Sequence, residues 1–466
     1  MINRREFVKY SGAAAALGMT GITTVQCNDM KKALDPVNIT IKNVNSDFER
    51  EPLIPYHFKG SSITQAWQAV SWLESETGIG VAGLGTQGVL WSDSKTFHGH
   101  SENGGNALMY AMTERALQMI KGETFKNPVE LLDNILPEIL DYGKKITRNP
   151  NLRKTFALNS LVSVDNAAWM LFARENNIEK FDDMIPEAYQ KGLSHRHTKV
   201  ASIPSYSVGT SVDVLKKAAE EGYFIMKLKI GSSGTQQEML EKDIQFMTNL
   251  HKTIGHFETP YTKSGKIPYY FDANGRYEKK ETLERFLEEA KKVGAFDQIA
   301  VIEEPFDEFN ETFVGDLGVR IAADESAHAV EDAARRIEQG YNTMAVKAIA
   351  KTLSMTMKIT QLAYEKKVPC FCADLTVNPI LVDWNKSVAA RLPPFPELDL
   401  GLQETNGHQY YIHWNDMEKH HPMAGAAWTK TVNGVYQTGK EFYEKSAGIL
   451  MDSPHYTDLF RKSREH

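Results

Sequence analysis

The chain has 466 residues, enough to bury a large core in two or three domains. A formal charge of −7, a pI near 6.1 and the lack of any basic run argue against a nucleic-acid surface. Three cysteines, Cys27, Cys370 and Cys372, the last two separated only by Phe371, do not make a disulfide framework.

Arg4-Arg5 precedes a short apolar stretch, 12–22, too short to span a bilayer stably. This reads as a twin-arginine export signal over residues 1–30. The expected location is the periplasm, or the membrane surface facing it, with no transmembrane span in the mature form. Cys27 stands where a lipoprotein signal places its acylated cysteine, so a lipid anchor is a second expectation. Thr24-Val25-Gln26, however, lack the small residues of that cleavage site. The alternative is a basic surface start followed by a helix.

Residues 36–195 read as an α+β domain. "NITIKNV" and "TGIGVAGLGTQGVLW" look like strands. "NALMYAMTERALQMIKG", "NPVELLDNILPEILDYGKKI" and "FALNSLVSVDNAAWMLFARENN" space their apolar residues at threes and fours, as helices do.

From 200 to 405 short apolar strands alternate with amphipathic helices. The strands are read at "ASIPSYSV", "FIMKLKI", "PYYFDAN", "IAVIEEP", "RIAADES", "TMAVKAI", "VPCFCAD" and "ELDLGL". Eight strands in this rhythm predict an α/β fold, a parallel (β/α)8-type barrel behind an N-terminal α+β domain. A doubly wound open sheet is the competing architecture, but no Gly-rich phosphate loop follows the first strand. Residues 406–466 lack the rhythm and are expected to pack back on the N-terminal domain.

The polar residues at the strand ends carry the chemistry. The second strand ends in Lys227-Leu228-Lys229, the third in Asp272 with Asn274 beyond it, and the fourth in Glu303-Glu304. The fifth ends in Asp324-Glu325 and the sixth in Lys347. In a barrel these ends surround one mouth. Three carboxylates from adjacent strands form an all-oxygen donor set that suits Mg²⁺, with Mn²⁺ able to replace it. Each acid alone is more readily a turn residue or helix cap, and two lysines on a strand alone read as a defended sheet edge. The joint pattern outweighs both. A second ammonium two residues from Lys229 provides the like-charge repulsion that a basic lysine needs.

In these pieces (Lys227-x-Lys229, "FDANGRY", "VIEEPF", "AADES" and "AVKAIAK") the sequence resembles the enolase superfamily, specifically its muconate-lactonizing-enzyme-like subgroup, over about 36–405. The resemblance implies a capping domain over the barrel mouth. It makes Asp272, Glu303 and Asp324 the Mg²⁺ ligands, with Lys229 and Lys347 the acid/base pair on opposite substrate faces and Lys227 their helper. The implied reaction removes a proton α to the carboxylate of a small-molecule substrate through a metal-stabilised enediolate. Epimerisation or racemisation of a dipeptide or related amino-acid derivative is the first expectation. A dehydratase on an acid sugar or hydroxy amino acid is the alternative, and an inactive exported binding protein comes third. A homo-oligomer is also expected.

The resemblance thins at the substrate. Dipeptide epimerases of the subgroup are expected to carry Asp-x-Asp on the eighth strand, whereas "PELDLGLQ" offers Asp399 with Gly401 in the second place and Glu397 on the other side. Asp374 on the seventh strand, alternatively a helix cap, and Trp91, His98 and His100 in the loop 83–100 are further candidate contacts, and Asn274 is either a partner of Asp272 or Lys227 or a turn residue with Gly275. The segment 251–268 reads as an insertion of the kind found near binding mouths. The pairs His98/His100, His195/His197 and His420/His421 read as solvated histidines, and Cys370 and Cys372 as buried apolar residues.

Overall fold

Two long strands, of which the sequence pattern marks only the start at 38–44, open the described part of the chain, residues 35–461 of the computed structural model. The export signal and the Cys27 anchor fall outside those residues. Strand β1 (Ile39–Phe58) runs antiparallel to β2 (Ser61–Ser75). The chain turns over Lys59-Gly60, with φ of 49° and 72°. Two left-handed residues give a two-residue turn whose twist matches the flanking strands. Most of β1 between residues 42 and 52 is partly or fully exposed, so no period-two apolar signal marks it. β3 (Gly80–Gln87) pairs with β2, and β4 (Thr124–Phe125) with the outer edge of β1.

Helices Glu102–Ile120 and Pro128–Ile146 follow as the periodicity predicts. The third predicted helix breaks at Leu161 into Lys154–Ser160 and Val162–Glu175. Every side chain from Val162 to Ala173 is buried. One tie across that surface is Asp165, whose Oδ2 accepts from the Ser354 amide of a barrel helix at 3.1 Å.

The barrel strands are β5 (Lys199–Ile203), β6 (Ser205–Tyr206), β7 (Met226–Lys229), β8 (Tyr269–Asp272), β9 (Ile299–Glu303), β10 (Ile321–Ala323), β11 (Thr343–Val346), β12 (Cys370–Cys372) and β13 (Gly401–Glu404). The first barrel strand is broken at Pro204 into β5 and β6. β5 pairs in parallel with β13, and β6 pairs in parallel with β7, so the broken strand closes the ring. The Lys227 amide donates to the Pro204 carbonyl at 2.9 Å at the break. This is the eight-stranded parallel α/β barrel expected from the sequence, with one departure. The connection from β9 to β10 contains no α-helix. Among the described residues no helix is long and apolar enough to cross a membrane.

Two placements correct the sequence reading. The eighth strand begins at Gly401, because Glu397 and Asp399 have φ of 71° and 55°, left-handed conformations that cannot continue a strand. The insertion lies at the end of the barrel opposite the mouth. Its Tyr261 stacks on Phe224 at 4.6 Å, and the Lys263 amide donates to the Glu397 carbonyl at 3.0 Å. A segment that joins a helix to the next strand must emerge where parallel strands begin.

The C-terminal residues divide. Strand β14 (Thr431–Val432) and β15 (Val435–Gln437) form a hairpin whose β15 lies antiparallel on the free edge of β5. Farther on, Phe460 packs against Trp72 of β2, with ring centroids 5.5 Å apart, and His455 Nε2 lies 2.8 Å from Glu49 of β1. The described residues from Val37 onward form one unit.

Candidate active site

A parallel strand shows alternate residues to the barrel interior, so Lys227 and Lys229 of β7 face the same way. Both are buried. Lys227 Nζ stands 2.8 Å from Glu303, 3.0 Å from Asp272 and 3.1 Å from Glu404. Burial would lower its pKa, but Asp272, Glu303 and Glu404 outweigh that and hold it well above the ordinary lysine value. Lys229 Nζ donates to Asp272 and, at 2.8 Å, to Asn274 Oδ1. Across the mouth, Lys347 at the end of β11 lies 2.6 Å from Asp324 Oδ2.

The acids between the lysines are almost fully enclosed. Asp272 and Glu303 have no exposed surface, and Asp324 1 %. Burial pushes Asp272 up, yet Lys227 and Lys229 together hold it at about 2. Asp324 is likewise pushed up by burial, and Lys347 with Lys351 holds it well below the usual carboxylate range. Glu303 goes the other way, raised by burial and then by Asp272, while Tyr270 donates its hydroxyl to the same carboxylate.

Oxygens of Glu303, Asp324 and Glu325 lie within 4.8 Å of one another. Among them Asp324 Oδ1 and Glu325 Oε2 are buried without a hydrogen-bond partner. Converging hard oxygens with unused lone pairs fit a divalent cation such as Mg²⁺. Asp272 is outside that closest trio and is engaged by the two lysines. Glu304 turns away from the trio. Its φ is 40°, and its Oε2 accepts from the Asp324 amide at 2.7 Å.

The capping part closes the mouth. A cavity between the two parts is lined by Tyr56, Phe58, Trp91, Lys229, Lys347 and Asp374, among others. Each lysine lies under one aromatic ring of the cap. Lys229 Nζ is 5.8 Å from the Phe58 ring and Lys347 Nζ is 4.2 Å from the Trp91 ring. The Trp91 indole N–H also donates to Asp324 at 3.2 Å.

A family model described as enolase C-terminal domain-like matches residues 211–424, the span that contains these lysines and acids. That segment belongs to the enolase C-terminal domain-like family. Known structures share the whole architecture at low identity. A dipeptide epimerase from Enterococcus faecalis V583, complexed with Mg and L-Leu-L-Tyr, is 17 % identical with a TM-score of 0.57, covering 86 % of this chain and 97 % of its own. A member of the enolase superfamily from Listeria innocua Clip11262 is 16 % identical with a TM-score of 0.62, covering 91 % and 97 %. L-talarate dehydratase from Polaromonas sp. JS666, complexed with Mg and L-glucarate, is 16 % identical with a TM-score of 0.56, covering 82 % and 88 %. These likenesses show the fold. A comparison with curated protein sequences returned no match.

The enolase-like barrel gathers Lys227, Lys229, Asp272, Glu303, Asp324 and Lys347 at one mouth, with Trp91, Asn274 and Asp374 on the cavity. Asn274 holds both sides, taking a bond from Lys229 and giving one to Glu325 at 3.0 Å. Asp374 accepts from the Leu375 and Asn406 amides, and burial followed by Glu404 pushes its carboxyl up to about 7. Asp399 is not in the site. Its side chain is 70 % exposed and faces Lys263 at 3.9 Å, because the strand thought to carry it starts two residues later. Phe97, rather than His98 or His100, lines the cavity.

Four participants escaped the sequence. Glu404 is the true end of the eighth strand and also accepts from the Asp374 amide at 2.9 Å. Applied to "GLQETN", the strand-end rule would have found it. Lys59 descends from the β1–β2 turn to Glu325 at 2.9 Å and the Trp91 carbonyl at 3.0 Å. Lys351, four residues beyond Lys347, donates to the Asp324 carbonyl at 2.7 Å. Tyr270, two residues before Asp272 and so on the same strand face, bonds Glu303. The histidine pairs do not line the cavity, and His197 and His421 are buried rather than solvated as expected: His197 bonds the Leu392 carbonyl at 3.1 Å, and His420 stacks on His455 at 3.6 Å.

Proposed function

We propose that the protein is a Mg²⁺-dependent enzyme that removes the proton α to a substrate carboxylate and returns it on the opposite face, an epimerase or racemase. The observation that carries the reading is the pair Lys229 and Lys347, at the ends of strands β7 and β11, both facing one cavity with carboxylates between them. Asp272, Glu303 and Asp324 would hold the ion, with Glu325 the competing third donor. When bound, Mg²⁺ supplies positive charge where the substrate carboxylate gains negative charge.

The residues of this chain do the rest. Lys229 takes or gives the proton at its Nζ on one face, and Lys347 on the other. Lys227, held charged by three acids, keeps a fixed positive charge behind Lys229. Phe58 and Trp91 roof the two ammonium groups and keep water from the reacting carbon. Asp374 and Glu404 place carboxylates at the ends of β12 and β13, where an ammonium group on the substrate would be met. This supports an amino-acid derivative or dipeptide.

The likeness to L-talarate dehydratase supports a second reading, loss of a β-hydroxyl from an acid sugar on the same scaffold. Incubation of the Mg²⁺-loaded enzyme in D₂O with pools of dipeptides and acid sugars separates the two. Deuterium at the α-carbon of recovered substrate supports epimerisation, a keto acid supports dehydration, and neither product across both pools argues against both. Export is proposed from Arg4-Arg5 and the apolar stretch after it, and a lipid anchor from Cys27. Mass analysis of the mature N-terminus tests these.

A further inference from the structure

Beside the catalytic cavity, on the outer side of Lys229, lies a second cavity of about 390 Å³ lined by Phe58, Lys59, Lys229, Ser233, Asn274 and Arg276, among others. No Asp or Glu lines it. Its three cations are not equivalent. Lys59 is matched by Glu325 and Lys229 by Asp272. The guanidinium of Arg276 forms no ion pair among the described residues, and its Nε is buried without a hydrogen-bond partner. Arg276 also borders a neighbouring cavity that contains Asp307 and Glu308, yet no described acid stands within ion-pair distance of it, and a partly enclosed guanidinium without a direct partner is costly unless something supplies one.

The backbone fixes this residue in place. The Arg276 amide donates to the Ala273 carbonyl at 3.0 Å, and its own carbonyl accepts from Gln236 Nε2 at 2.9 Å. Its stem lies in space left by Gly231, where a Cβ would come within 2.6 Å of Arg276 Cβ. Gly231 follows Lys229 by two residues, so the arginine is anchored against the loop that leaves the strand of the proposed base. A planar fork of donors held in that way matches a carboxylate or phosphate oxyanion.

We propose that this cavity binds a second oxyanion of the substrate, so that the enzyme acts on molecules carrying one carboxylate at the reacting carbon and another anionic group clasped by Arg276. This rests on the reading of the catalytic site given above. A neutral end in the same place would leave the guanidinium unpaired, and sites that recognise by charged hydrogen bonds reject such analogues strongly.

The test uses the Mg²⁺-loaded enzyme and three probes, glutarate, its monoamide glutaramate, and 4-phosphonobutyrate, with affinities measured by calorimetry. At least one diacid is expected to bind about tenfold or more tighter than glutaramate, the factor one charged hydrogen bond supplies. The tighter of the two names the oxyanion. In Arg276→Gln the preference is expected to fall to within about twofold, and Arg276→Lys should recover part of it. Matching thermal melts exclude misfolding as the cause. Equal affinity for diacids and glutaramate, or a preference that survives in Arg276→Gln, overturns this inference and leaves the catalytic reading intact. Failure of all three probes to bind an enzyme that still exchanges substrate α-protons in D₂O overturns this inference alone, whereas failure of both binding and exchange overturns the catalytic reading and this inference with it.

Discussion

Lys229 and Asp272 are partners in the parallel register of β7 and β8, and the ammonium of one donates to the carboxylate of the other. The same carboxylate oxygen lies 3.0 Å from Lys227. One acid therefore anchors both lysines of the Lys-x-Lys motif, and its neighbour Glu303 takes the second bond of Lys227.

That sharing bears on the metal. Titration of Mg²⁺ into Glu303→Gln and Asp324→Asn should show affinity reduced by roughly a hundredfold, since each loses a donor that both candidate ligand sets contain. Asp272→Asn is expected to weaken binding comparably and Glu325→Gln by less than about tenfold. The reverse order for the last two would assign the third place to Glu325.

Lys227 stabilises three buried carboxylates at once. Lys227→Met should lower the stability of the metal-free protein by about 3–5 kcal/mol, because Asp272, Glu303 and Glu404 are left without their common cation. Added Mg²⁺ is expected to recover part of that loss. Thermal melts of the variant with and without Mg²⁺ check both statements, and an unchanged melting temperature contradicts them.

A third prediction concerns pH, away from the mouth. Burial pushes the Asp165 carboxyl up to about 7 from an ordinary 3.8, with the Ser354 hydrogen bonds opposing. The folded state therefore keeps a proton that the unfolded chain has already lost. This contribution is fully present below pH 3.8 and is lost as pH rises towards 7. Integrated over that range it is at most about 4 kcal/mol. Asp165→Asn removes the titration, so its stability relative to the parent should rise between pH 4.5 and 7.5. A difference that stays flat across that range contradicts the argument.

The barrel and the reactive groups were legible because strands announce themselves by composition and their polar ends are sparse. Lys227, Lys229, Asp272, Glu303, Asp324 and Lys347 each interrupt or end an apolar run. Asp399 misled because "FPELDLGL" carries a strand-like alternation in a segment whose backbone turns left-handed twice. Long-range placements left no local trace. Lys59 reaches Glu325 only because β1 and β2 are long enough to carry their turn to the barrel mouth. Arg276 stands out only once its lack of an acid partner is seen in three dimensions. The position of the insertion follows from topology rather than from its length, since a helix-to-strand connection in a parallel barrel belongs at the closed end.

In the proposed reaction two lysines, Lys229 and Lys347, work on opposite faces of one α-carbon. The most direct measurement follows deuterium incorporation at that carbon in D₂O for Lys229→Met and Lys347→Met, starting separately from each stereoisomer of a substrate. Each variant should lose epimerisation by about a hundredfold or more while retaining exchange only with the stereoisomer whose α-proton faces the remaining lysine. Exchange with both stereoisomers in either variant, at the rate of the parent enzyme, would contradict the two-lysine assignment.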